Sequence, residues 1–254
     1  MSRDKPENYS STSNTVLEIS YSQPGQDAPV SHSLPLITPD NDENGGTGPL
    51  HAGNAHAIPF QEREEHLAAA MQWLEGEGPA PSVRIITGRA GQGKTRLGME
   101  IAARARKRGW LAGFLPAGGP DLFPATEFRT VWHQPTLVII DNAAARTTQV
   151  RTWLTAVLRQ KPGAHPLRFL LLERTGLDDL WLDSIFGATE AGSPLPAAAL
   201  PATRWPILGP LASAHARFAV FAAAYRAAGA THQPPQAPPT RAPPPQAPRT
   251  RPPT

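Results

Sequence analysis

From residue 58 onward, apolar positions follow two kinds of spacing along the chain. Some segments repeat apolar residues every three or four positions, which predicts amphipathic helices, and others are short, largely apolar runs, which predict buried strands. The predicted strands are residues 83–86, 110–115, 137–140 and 167–172, and the predicted helices are residues 62–75, 95–107, 150–158, 177–186 and 212–228.

The order of these segments predicts the fold class. Strands that are apolar along their length and alternate with helices favour a parallel sheet that is covered on both faces. The sequence therefore predicts an α/β fold, with a parallel β-sheet sandwiched by helices. Residues 188–203, which are rich in Pro, Ala and Gly, are predicted to be a linker before the last helix.

Both ends of the chain differ from this middle part in composition. Residues 1–57 are rich in Ser, Asn, Asp, Gly and Pro and predict a disordered polar tail, with one short strand at residues 16–21. Residues 231–254 contain the tandem repeat PPQAPPTRAP-PPQAPRTRPP, which predicts an extended, disordered Pro-rich tail. The folded domain is therefore predicted to cover residues 58–230.

Composition narrows the function classes. The chain has no cysteine, which excludes disulfides, thiolate zinc sites and cysteine nucleophiles. The polar N-terminus lacks the apolar segment of a secretory signal, and no apolar run is long enough to cross a bilayer. The net charge of +3 is spread without a dense Lys/Arg stripe. We therefore expect a cytoplasmic protein with no membrane and no nucleic-acid partner.

One segment carries a specific chemical signature. Residues 88–95, GRAGQGKT, fit the pattern G-x-x-x-x-G-K-[ST] between a predicted strand and a predicted helix. Glycines let backbone N–H groups curl around phosphates, the lysine neutralises phosphate oxygens, and the hydroxyl ligates Mg²⁺. This pattern predicts a P-loop that binds ATP with Mg²⁺. Its candidate nucleotide-binding residues are Gly88, Gly91, Gln92, Gly93, Lys94, Thr95 and Arg96.

The apolar strand 137–140 ends in Asp141, which has the form of a Walker B motif. Its carboxylate is predicted to hold Mg²⁺ together with Thr95. The alternative interpretation is an aspartate that only caps the next helix. Many ATPases place a catalytic carboxylate next, but here Asn142 and three alanines follow. An amide cannot accept a proton, so slow hydrolysis at most is expected.

The strand 167–172 is followed by two charged residues, Glu173 and Arg174. In P-loop ATPases with an inserted strand, this strand lies between the P-loop strand and the Walker B strand. Its end then faces the γ-phosphate. Arg174 is therefore a candidate to stabilise phosphate charge, and Glu173 is the candidate to orient water and replace the missing base. The alternative is an exposed loop pair without a catalytic role.

The ordered part resembles the STAND branch of the AAA+-related NTPases over roughly residues 58–228. FQEREEHL at residues 60–67 is similar to the F-x-G-R-E-x-x-L box of that branch, and ILGPL at residues 207–211 is similar to the segment that starts its helical lid. The resemblance implies a P-loop NTPase fold, with Arg63 of the box close to the nucleotide. Glu62 departs from the pattern, because the box has glycine there.

The resemblance implies a nucleotide-dependent signalling or regulatory switch, with protein partners or self-association. The lid is expected to be incomplete, and a hypothesis for the Pro-rich tail is a frameshift or truncation in a longer ancestral protein. Two alternatives remain: a nucleotide-binding or interaction module without turnover, and a small-molecule kinase.

Overall fold

The computed structural model describes residues 16–21, 30–36, 38, 59–77, 81–116, 128–160, 164–174, 180–187 and 207–227. The linker predicted at residues 188–203 and the Pro-rich tail predicted at residues 231–254 lie outside the described residues, as does most of the N-terminal region.

The centre of the fold is a four-stranded parallel sheet. Its strands are β3 (Ser82–Gly88), β4 (Leu111–Phe114), β6 (Thr136–Asp141) and β7 (Leu167–Arg174), in the order β3-β7-β6-β4. The strand β7 is last in sequence but pairs with both β3 and β6 in the middle of the sheet. The predicted parallel sheet with an inserted strand is confirmed.

Helices cover both faces of this sheet. On one face lie α1 (Glu64–Glu75) and α2 (Lys94–Arg106), whose apolar residues share a core with Ile86, Ile139 and Leu172. On the other face lie α3 (Thr147–Arg159) and α4 (Leu180–Phe186). The molecule is therefore an α/β protein with the P-loop NTPase arrangement of strands and helices.

The core beneath α3 depends on two large aromatic side chains. Trp153 and Phe169 are almost fully buried and meet edge to face, with ring centroids 5.0 Å apart. Such a pair adds about 0.5–1.5 kcal/mol to the free energy gained from burying the rings. The Trp153 indole also donates a 2.9 Å hydrogen bond to the Thr130 hydroxyl. This bond links α3 to a second sheet.

The second sheet has three antiparallel strands in the order β2-β1-β5. They are β1 (Val16–Tyr21), β2 (Val30–Pro35) and β5 (Phe128–Val131). The predicted strand at residues 16–21 is confirmed. The strands β2 and β5 were not predicted, because each is short and forms a sheet by pairing with β1, a contact that local sequence does not reveal.

The last described helix, α5 (Ala214–Ala227), follows a short extended segment. Within that segment Leu208 forms a parallel bridge with Gly88, and its N–H donates to the Thr87 carbonyl at 2.8 Å. This contact brings the start of α5 beside the loop that follows β3.

Candidate functional site

The loop that follows β3 is shaped by its glycines. A Cβ at Gly88 would lie 2.7 Å from the Leu208 carbonyl oxygen, so no larger residue fits this close approach. Gly91 and Gly93 have left-handed backbones, with φ of 77° and 85°, which glycine adopts without steric cost. The helix α2 begins directly after Gly93, and no side chain caps its first N–H groups. The first N–H groups of a helix have no carbonyl partner within it, so the start of α2 suits the binding of an anion.

Lys94 folds back over this loop. Its Nζ donates to the carbonyl of Gly88 at 2.7 Å and to that of Arg89 at 3.1 Å, and the side chain is buried. Burial lowers the pKa of Lys94, an effect that the nearby carboxylates of Asp141 and Glu173 partly offset. The lysine is thus an ammonium group that the loop holds in place where an anion would enter.

Two candidate metal ligands meet beside this lysine. The Thr95 hydroxyl donates to Oδ2 of Asp141 at 2.6 Å. The other carboxylate oxygen, Oδ1, accepts the N–H of Asn142 at 2.9 Å. Asn142 itself has a left-handed backbone (φ 56°), a conformation that asparagine tolerates better than most residues. The end of β6 therefore presents one carboxylate with a fixed orientation.

Glu173 and Arg174 end the neighbouring strand β7. Glu173 is only 1% exposed, and its carboxylate accepts the N–H of Ala144 at 2.6 Å and the N–H of Arg174 at 2.7 Å. Arg174 is exposed, and its positive charge contributes to lowering the pKa of Lys94. The two residues thus differ sharply in environment, which the sequence pattern did not reveal.

Arg63 connects three segments around the loop. Its Nη2 donates to the carbonyl of Gln92 at 3.2 Å and to the carbonyl of Gly209, which lies just before α5. Burial lowers the pKa of Arg63, and the charge of Glu62 opposes this shift. Arg63 therefore lies against the glycine loop and also contacts the segment that leads into α5.

A cavity of about 280 Å³ opens next to the loop. Arg96 lies over the ring of Phe60, with its guanidinium carbon 5.5 Å from the ring centroid, and both residues line the cavity. The remaining wall comes from the segment before α5 and from α5 itself. The lining residues on that side are Pro210, Leu211, Arg217 and Val220.

Glu62 joins the two sides of this cavity, a role that sequence reasoning missed. Both of its carboxylate oxygens accept the N–H of Ser213, at 3.2 and 3.1 Å. These hydrogen bonds with Ser213 hold the pKa of Glu62 below its usual range. Its backbone is left-handed, with φ of 50°, which explains why a glycine suits this position of the box. That departure from the box was the only sequence signal available.

Two further observations limit the chemistry of the site. Among the described residues, no three His, Cys, Asp or Glu side chains are grouped as a metal site. The helices in the described part of the chain also include none that is long and apolar enough to cross a membrane.

Comparison with known proteins gives one family. The family described as Novel STAND NTPase 5 matches residues 50–179, which include the glycine loop, Asp141 and Glu173. No curated protein matches the chain. The matched region covers the parallel sheet and the glycine loop, and the cavity wall formed by the segment before α5 and by α5 lies outside it. The chain therefore belongs to the Novel STAND NTPase 5 family and contains a nucleotide-binding NTPase module of the STAND class.

Proposed function

We propose that residues 58–230 form a module that binds ATP with Mg²⁺ through the glycine loop and Asp141, as Walker A and Walker B motifs. One observation carries the proposal. The buried ammonium of Lys94 and the Thr95–Asp141 pair lie together at the start of an uncapped helix. A polyphosphate and a hard divalent cation are the ligands that satisfy these groups together.

The loop supplies the phosphate contacts. When a phosphate binds, the Nζ of Lys94 donates to phosphate oxygens in place of the carbonyls of Gly88 and Arg89. The first N–H groups of α2 face the same anion. Gly91 and Gly93 keep the approach to the backbone open, because no protein atom lies within 4 Å of a Cβ built at either position. Each of these groups favours a triphosphate over a neutral ligand.

Thr95 and Asp141 fit Mg²⁺ by the chemistry of their donors. Both offer oxygen ligands, which Mg²⁺ prefers, and their 2.6 Å contact brings them to one point. A bound Mg²⁺ would neutralise part of the negative charge of the phosphates. The protein contributes the fixed orientation of Asp141, whose Oδ1 is held by the N–H of Asn142.

The cavity beside the loop suits the base of the nucleotide. The Phe60 ring, the Arg96 guanidinium and Leu97 give it apolar and stacking surfaces, and Gln61 gives it an amide for hydrogen bonding. Since Arg63 contacts both the loop and Gly209, a nucleotide here lies between the P-loop and α5. We assign this cavity to the base of a bound ATP molecule.

Hydrolysis is proposed to be slow. Asn142 occupies the position where a base carboxylate commonly stands, and its amide can orient water without accepting a proton. Arg174 ends β7 in register with Gly88 at the start of the loop and is the candidate to stabilise phosphate charge. Glu173, the substitute base suggested by the sequence, accepts the backbone N–H groups of Ala144 and Arg174.

A slow NTPase whose base pocket includes one helix suits a regulatory switch. The position of α5 then depends on the ligand, because its residues and the segment before it form one wall of the cavity. Protein partners or self-association would sense that position. A binding module without turnover is the second candidate, which the missing base favours. A small-molecule kinase is the third and least supported.

The test is nucleotide binding and turnover by the purified chain. We expect Mg-ATP to compete with a fluorescent ATP analogue, and γ-phosphate release to be slow. Tight binding without any release would favour the non-hydrolysing module, and release that requires an added acceptor would indicate a kinase. Failure of every nucleoside triphosphate to bind would contradict the proposal.

A further inference from the structure

The two charged residues that end β7 point to opposite faces of the sheet. Successive side chains of a strand alternate between faces. Leu171 packs in the core beneath α3, whereas Leu172 packs in the core with Leu97 of α2. Glu173 therefore shares the face of Leu171, away from the helix that carries Lys94 and Thr95.

Asp141 lies on the other face. It pairs in register with Leu172, and paired residues of parallel strands project to the same side of the sheet. The contact with Thr95 at the start of α2 agrees with this orientation. Asp141 and Glu173 are thus neighbours at the sheet edge whose carboxylates project to opposite sides.

The contacts of Glu173 match its orientation. Both carboxylate oxygens accept backbone N–H groups, at 2.6 Å from Ala144 and 2.7 Å from Arg174. Hydrogen bonds from backbone N–H groups to a buried carboxylate are short and strong. Losing either one destabilises the protein, because a buried carboxylate oxygen is then left without a donor. Glu173 would have to give up both bonds to reach a water molecule on the face of Lys94.

These bonds fix the turn that follows Asp141. Ala144 belongs to the 3-10 turn Ala143–Arg146. Asn142 connects that turn to β6, and its N–H donates a hydrogen bond to Oδ1 of Asp141. We propose that Glu173 is a positioning residue and not the general base. It holds the turn so that Asp141 keeps the orientation needed for Mg²⁺. This inference rests on the proposed function.

The experiment measures how ATP binding depends on Mg²⁺ in two variants. Glu173→Gln keeps the shape of the side chain, but its amide can accept only one of the two N–H groups. Ala144→Pro removes the N–H that donates to Glu173 and leaves the carboxylate of Glu173 in place. Proline suits the φ of a 3-10 turn. We expect both to raise the half-saturating Mg²⁺ concentration about tenfold, as loss of a group that orients a metal ligand does. ATP binding in EDTA should stay unchanged.

The matched control is Trp153→Phe, which removes a buried hydrogen bond to Thr130 of β5. It lowers stability but keeps both hydrogen bonds of Glu173, so its Mg²⁺ dependence should equal that of the parent. A raised Mg²⁺ requirement in this control would overturn the inference, because general loosening would then suffice.

Two more results would overturn it. One is an unchanged Mg²⁺ dependence in Glu173→Gln with single-turnover hydrolysis lowered ~10²-fold or more, the loss expected for a base. The other is an unchanged Mg²⁺ dependence in Ala144→Pro, which decides the matter if Glu173→Gln does not fold. A parent protein that binds no nucleotide would instead contradict the proposed function.

Discussion

The Thr95 hydroxyl donates a 2.6 Å hydrogen bond to Oδ2 of Asp141, which joins the first turn of α2 to the end of β6. The two residues are 46 positions apart in sequence. The parallel sheet brings them together, because β3 and β6 both end at the edge where the glycine loop begins. The candidate ligands of a cation are therefore brought together by the fold itself.

Thr95→Val tests this pair directly. Valine keeps the shape of threonine but removes the oxygen, so the affinity for ATP with Mg²⁺ should fall at least about tenfold. The affinity for ATP in EDTA should be unchanged. The measurement is a titration of a fluorescent ATP analogue with and without Mg²⁺.

The control for this substitution is Thr152→Val on α3, whose hydroxyl donates to the Thr148 carbonyl of its own helix. It should bind like the parent under both conditions. If Thr95→Val keeps the full effect of Mg²⁺, the hydroxyl is not a metal ligand.

Asn142→Asp should speed hydrolysis. The residue lies directly after Asp141 with a left-handed backbone that aspartate also tolerates. A carboxylate there can accept a proton from water, so we expect single-turnover hydrolysis to rise at least about tenfold, toward the range that a positioned base provides. Asn142→Gly, which suits the same backbone but has no carboxylate, should show no rise. An Asp variant that binds ATP normally yet hydrolyses no faster would show that the missing base does not limit the rate.

Glu62→Gln should release nucleotide faster. Glutamine should leave the left-handed backbone at position 62 and its strain unchanged. It removes the negative charge that faces the N–H of Ser213 at the start of α5. Dissociation of a fluorescent ATP analogue at pH 7 should be about two- to fivefold faster, as expected for a charge at a helix N-terminus. The control is Glu65→Gln, an exposed carboxylate on α1.

The same pair predicts a pH dependence. Hydrogen bonds with Ser213 lower the pKa of Glu62 from its ordinary value of 4.5. Its contribution is therefore present above that value and is lost as the pH falls through the lowered pKa. The difference between the parent and Glu62→Gln should shrink on acidification; a difference that grows would refute the role of this carboxylate.

Local sequence patterns predicted the central sheet and its helices. The strands β3, β6 and β7 are largely apolar and mostly buried in a parallel sheet, so their composition identifies them. The glycine loop was predicted because its chemistry needs fixed residue types at fixed spacing. Lys94, Thr95 and Asp141 accordingly lie together in the structure.

Contacts between distant segments could not be read from local patterns. Among the described strands, β5 pairs with β1 alone, more than 100 residues earlier. The hydrogen bond from Ser213 to Glu62 spans 151 positions. Glu173 shows a different limit. In a strand buried on both faces, consecutive apolar residues do not indicate which side chains project to which face of the sheet. The alternation that turns Glu173 away from Lys94 was therefore visible only once the cores were known.

The central claim is that Lys94 holds the phosphates of ATP. Lys94→Ala removes a charge whose burial is costly and whose partners are two loop carbonyls. The fold should therefore survive with little change in thermal stability. Lys107→Ala, an exposed lysine just after the same helix, is the matched control and should bind ATP like the parent.

The decisive measurement is calorimetric titration of Mg-ATP into the parent and into Lys94→Ala protein of verified circular dichroism. We predict saturable binding of ATP by the parent and a loss of affinity of about a hundredfold or more in the variant, as expected when charge-assisted hydrogen bonds to phosphate are lost. A folded Lys94→Ala protein that binds Mg-ATP as tightly as the parent would contradict the account.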